Sequence, residues 1–108
     1  MAGFDLKLVN GQLVTSAGIS AVDVGIRDGS IAAIGDWGSL VDAEEVVDLS
    51  GRVILPGGID THVHGGDPGA FDFGEVSRAA ALGGVTTIVD MPIQIPNTTD
   101  AESFDAKL

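Results

Sequence analysis

The chain has 108 residues, enough for one ordinary domain and too few for two large ones. With 44% apolar residues it is globular in composition rather than disordered. Sixteen Asp+Glu against five Lys+Arg give a net charge of −11, with eight acids in residues 1–55 and eight in residues 56–108. That balance repels phosphate backbones, and the absence of cysteine removes disulfides and thiolate metal sites.

The first half reads as short strands separated by turns. Phe4 to Val9 alternates with period two, and Asn10-Gly11 predicts a hairpin turn into Gln12 to Thr15. Val22 to Arg27 alternates again, and Asp28-Gly29 predicts a second turn into Ser30 to Ile34. After an acidic loop come Val46 to Leu49, a turn at Ser50-Gly51-Arg52, and Val53 to Leu55. Strands punctuated in this way predict a small β-sandwich or an open sheet.

The pattern changes at Pro56-Gly57-Gly58. Ile59 to His64 reads as a strand and residues 65–69 as a loop. Asp72 is a suitable N-cap for a helix running to Leu82, with Gly83-Gly84 to end it. Val85 to Asp90 is β-branched and reads as a buried strand. Thr99 and Glu102 have the spacing of a capping box, predicting a helix at Ser103 to Ala106. Strand, helix, strand, helix is how a parallel α/β fold opens. The expectation is therefore a β-rich part over residues 1–55 and an incomplete β/α barrel from residue 56 to 108, with the natural chain continuing past Leu108. The N-terminal residues do not read as a signal peptide, and no apolar run approaches the roughly 18 residues of a spanning helix. A cytoplasmic protein without membrane or nucleic-acid partners is expected.

The chemistry concentrates in Asp60-Thr61-His62-Val63-His64. On a regular strand Asp60, His62 and His64 share one face and Ile59, Thr61 and Val63 the other. Two imidazoles at i, i+2 can converge on one cation, and the end of a first barrel strand is where such folds keep their sites. Two histidines at this spacing also occur as ordinary polar residues of an exposed strand. These are the only two in the chain, though, and they lie between a Pro-Gly-Gly break and a glycine-rich loop, which favours metal binding. A catalytic zinc takes three protein ligands and a water, so this pair is not a complete site. Asp60 reads as a group orienting the strand end. Asp90 is either a carboxylate capping its turn or a contact at the barrel mouth. Asp67 is either a loop ligand or a turn residue before Pro68.

The run Leu55 to His64, followed by Ala79 to Pro92 and then Ile93, Pro96-Asn97-Thr98-Thr99 and Phe104, resembles the amidohydrolase superfamily. Within it the chain is similar to the cyclic amidohydrolases: hydantoinase, allantoinase, dihydropyrimidinase and dihydroorotase. The resemblance implies a partial β-sandwich (a composite domain) leading into a TIM-type barrel, with the present chain an N-terminal fragment unable to work alone. It also implies that His62 and His64 bind one of two divalent metal ions, expected to be zinc. A carboxylated lysine, two further histidines and a late aspartate would complete that site, and the catalytic groups are expected beyond Leu108. The implied reaction opens a cyclic ureide to an N-carbamoyl acid, and the implied full-length protein is a homo-oligomer. Many allantoinases and dihydroorotases carry an arginine near the Pro-Gly turn, where this chain has Ala70 after Pro68-Gly69. That departure favours a hydantoin-type ring over a substrate bearing a carboxylate. A deacylase or dipeptidase branch and a non-catalytic scaffold relative are the competing expectations.

Overall fold

The computed structural model describes residues 3–66, 72–93 and 97–106. Two compact units divide the chain, Met1–Leu55 and Pro56–Leu108.

The first unit contains β1 (Phe4–Thr15), β2 (Gly18–Arg27), β3 (Ser30–Asp36), β4 (Ala43–Asp48) and β5 (Val53–Ile54). They form one five-stranded sheet in the order β3-β2-β1-β4, with β5 also paired to β1. The described residues thus make a single layer, where a sandwich would have two facing ones. β1 to β3 are antiparallel neighbours, whereas β4 and β5 both run parallel to β1. The turn expected at Asp28-Gly29 forms, with φ of 51° and 70°, the signature of a tight hairpin.

The hairpin expected at Asn10-Gly11 does not form. β1 continues through it, and its pairing with β2 shifts register between Leu8 and Gly11. Asn10 has the positive φ of 58° that the turn reading anticipated, but it serves a β-bulge. Three of its polar groups hold it there. Its N–H donates to Asp23 Oδ1 at 3.2 Å, its Nδ2 donates to Asp48 Oδ1 at 3.0 Å, and its carbonyl accepts from Gly51 N–H at 2.9 Å. At Gly11 a Cβ would lie 2.7 Å from Ile54 Cδ1 and 2.8 Å from Leu49 Cδ1, so a side chain would displace both. On either side of the bulge β1 changes its parallel partner, from β4 at Phe4–Val9 to β5 at Gln12–Leu13.

Phe4, Val22 and Val24 are buried, and so is the carboxylate of Asp23 at 1% exposure. Phe4 lies over Gly25, and Arg27 stacks on the ring with its guanidinium carbon 5.4 Å from the centroid.

The second unit contains β6 (Gly58–Val63), α1 (Phe73–Leu82), β7 (Val85–Asp90) and α2 (Ala101–Asp105). β6 and β7 pair in parallel as a two-stranded sheet, which is the strand–helix–strand arrangement expected; no closed barrel exists among the described residues. α1 begins at the expected cap. Asp72 Oδ1 accepts from Glu75 N–H at 2.8 Å, and Glu75 Oε2 accepts from Asp72 N–H at 3.3 Å. The second helix starts earlier than expected. Its cap is Asp100 with Ser103, not Thr99 with Glu102, because the carboxylate of Asp100 takes the Ser103 N–H at 2.9 Å. No helix among the described residues is long and apolar enough to cross a membrane.

Candidate metal centre

β6 begins at the Pro56-Gly57-Gly58 break, where Gly58 N–H bonds to Gly84 O at 2.8 Å and aligns the start of β6 with the start of β7. Six residues on, the strand ends at Val63, and the two histidines straddle that end. His62 Nε2 and His64 Nε2 stand 3.1 Å apart, with ring centroids at 5.1 Å and planes inclined by 46°. Both side chains are exposed.

Two nitrogens bound to one tetrahedral zinc at 2.0–2.1 Å are separated by about 3.3 Å. The observed spacing is therefore that of a pair ready to chelate, and it is equally that of a hydrogen bond between a neutral ring and its neighbour. The donor chemistry fits a divalent ion of borderline softness. Among the described residues no group of three or more His, Asp or Glu side chains is gathered to hold a metal, so the pair supplies part of a coordination sphere.

Asp60 does not share the histidines' arrangement. The pairing of β6 with β7 shifts register between Asp60 and Val63, so strict alternation lapses there. Asp60 and Val63 line one cavity of about 400 Å³ together with Val76, Ala79, Ala80 and Ile88. The carboxylate of Asp60 instead turns along its own chain, where Oδ1 accepts the His62 N–H at 3.0 Å. Asp67 lies outside the described residues.

Asp90, at the end of β7, is half-buried, and its Oδ1 accepts the N–H of Gly65 at 2.8 Å. It therefore fastens the loop that follows His64. The neighbouring Met91 N–H donates to Val63 O at 2.8 Å. Gly65 is itself buried, and a Cβ there would stand 2.7 Å from the Phe73 ring. Gly65 and Phe73 are contributors that sequence reasoning missed; the only signal was the Gly65-Gly66 pair itself.

Over 110 aligned positions covering 96% of the chain, it is 42% identical to the allantoinase of Escherichia coli O1:K1 / APEC. Its homologues are members of the amidohydrolase superfamily, among them allantoinase, hydantoinase, dihydropyrimidinase and D-aminoacylase. Among solved structures, the L-hydantoinase (dihydropyrimidinase) from Arthrobacter aurescens superposes with a TM-score of 0.82 at 39% identity, covering 96% of this chain and 24% of that one. The N-acyl-D-glutamate deacylase from Bordetella bronchiseptica, complexed with zinc and a phosphonate inhibitor, matches with a TM-score of 0.61 at 33% identity, covering 89% of this chain and 22% of that one. The chain spans 23% of the length of the curated allantoinases it matches. No family model matches it.

Proposed function

We propose that the chain is the opening quarter of a metal-dependent cyclic amidohydrolase, in which His62 and His64 supply two ligands to a divalent ion, zinc by preference. The observation that carries this is the 3.1 Å convergence of the two Nε2 atoms at the end of β6. In this reading residues 1–55 are one part of a composite β-sandwich and residues 56–108 begin a TIM-type barrel. The remaining ligands and the proton-transferring groups come from beyond Leu108, and the chain alone is inactive. A cytoplasmic homo-oligomer acting on a small molecule is the corresponding whole.

A metal bound here supplies Lewis acidity to polarise a ring amide carbonyl and to favour ionisation of water. The overall reaction adds one water to that carbonyl. The ring C–N bond breaks, the nitrogen takes the proton, and an N-carbamoyl acid is released. The residues of this chain hold the two imidazoles in place: β6 carries His62, and the loop tied to β7 carries His64. Ala70, in place of an arginine, favours a hydantoin-type ring.

The test is metal analysis and a ring-opening assay on the complete protein. Stoichiometric divalent metal, lost together with hydantoin hydrolysis in His62→Ala and His64→Ala, is expected. A complete protein that holds no divalent metal after loading would sink the proposal. The match to a zinc-bound deacylase supports a second reading, hydrolysis of N-acyl amino acids. The higher TM-score of the hydantoinase favours ring opening, and turnover of N-acyl amino acids with hydantoins untouched would reverse that preference.

A further inference from the structure

We infer that Asp90 is a positioning residue for the histidine pair: it fixes the main chain directly after His64 and thereby sets how the two imidazoles meet. The inference gives the metal-binding reading its means of preorganisation and rests on that reading for its chemical purpose.

His62 lies within β6, whereas His64 is one residue past the strand's last position. The segment after it, Gly65-Gly66, is intrinsically the loosest link a chain can offer. Yet both peptide groups that flank His64 are held. The carbonyl of the Val63–His64 peptide accepts from Met91 N–H, and the N–H of the His64–Gly65 peptide donates to Asp90 Oδ1, each at 2.8 Å. Fixing both peptide planes fixes φ and ψ of His64, and with them the direction of its Cα–Cβ bond. The Phe73 ring lies against Gly65, where an added Cβ would stand 2.7 Å from it. Only the side-chain torsions of His64 remain, and the 3.1 Å approach to His62 is reached through them. The required property of Asp90 is an acceptor oxygen at this place, so an amide oxygen can replace the carboxylate.

The experiment is NMR on the complete protein, labelled at histidine and glycine, metal-free and then titrated with Zn²⁺, in wild type, Asp90→Ala, Asp90→Asn and Asp90→Glu. Without metal, Asp90→Ala is expected to lose the ring-to-ring NOE between His62 and His64 and about tenfold of the Gly65 amide's exchange protection, while Asp90→Asn keeps both. Asp90→Glu sets the carboxylate one methylene further out and is expected to weaken both signals in a chain that still folds. Unchanged NOE and protection in Asp90→Ala and Asp90→Glu would overturn the inference. So would their loss in Asp90→Asn, because charge and not an acceptor would then be needed. With Zn²⁺, Asp90→Ala is expected to bind about tenfold more weakly at the histidine rings, the usual scale for removing a group that orients a ligand. If wild-type rings do not respond to Zn²⁺ at all, the metal reading fails, while the metal-free spectra still decide the role of Asp90.

Discussion

Both carboxylate oxygens of Asp23 answer main-chain donors, Asn10 N–H at 3.2 Å and Gly38 N–H at 2.8 Å, in a site only 1% exposed. Truncation would strand two donors inside the sheet. Asp23→Ala is therefore expected to lower unfolding stability by about 2–3 kcal/mol in urea titration, and Asp23→Asn by less, since one acceptor survives. Asp48 behaves differently, because it is exposed. The Asn10 side-chain amide first, and the Ser50 N–H second, hold its carboxyl below the usual aspartate range. A depressed pKa in the folded state means that the linked stability is present above the unfolded value and is lost as pH falls through the folded one. Asn10→Gly keeps the positive φ but removes the amide, so an NMR titration should show the Asp48 pKa rising toward its ordinary value. Asp23 looked in the sequence like one more polar position of an alternating strand; the two donors that meet it, from Asn10 and Gly38, come from segments distant in the chain.

α1 and β7 were legible at element scale because each signal was local and singular. Asp72 precedes a helical run with Glu75 in the box position, and Val85 to Val89 is β-branched throughout, although β7 is exposed or half-buried along its length and not the buried strand expected. Asp72→Ala is expected to cost about 1 kcal/mol and to raise amide exchange in the first turn of α1. Elsewhere a local signal had two meanings. Asn-Gly serves a tight turn and a bulge equally well, and here the non-local pairing of β1 with β4 and β5 selected the bulge. At α2 two overlapping caps competed, and the carboxylate of Asp100 prevailed over the hydroxyl of Thr99. The histidine pair was legible as a spacing. The register shift after Asp60 was not, since nothing in Asp-Thr-His-Val-His announces a lapse of alternation. Gly65→Ala tests the packing that follows it: the added methyl meets Phe73, and loss of the His62–His64 ring contact is the expected outcome, read by NOE.

At the scale of the molecule the described residues leave much apolar surface in water. Ile31 is 68% exposed, Ile59 67%, Leu55 64% and Leu82 92%, while only Phe4, Val22 and Val24 form the buried apolar set. Surfaces of this kind bind one another or a dye when nothing covers them. The 108-residue chain expressed alone is therefore expected to enhance ANS fluorescence and to self-associate in sedimentation, and the complete protein to do neither at equal concentration. The strand-rich character of the chain was readable at this scale from the alternating, turn-punctuated runs before Pro56. The choice between a sandwich and an open sheet was not, because local alternation does not say how many layers the strands will make.

The partner change along β1 also has a kinetic side. One edge of that strand closes through a short turn onto β2, but the other must wait for residues 43–54, so Phe4 meets Ala43 and Gln12 meets Val53 only after long stretches of chain have been gathered. Closing such distances costs entropy before any contact repays it. The β1–β2 hairpin is thus expected to form early and β4 and β5 to dock slowly. Until docking, the bulge at Asn10 marks on an open ladder where one incoming strand must stop and the next begin.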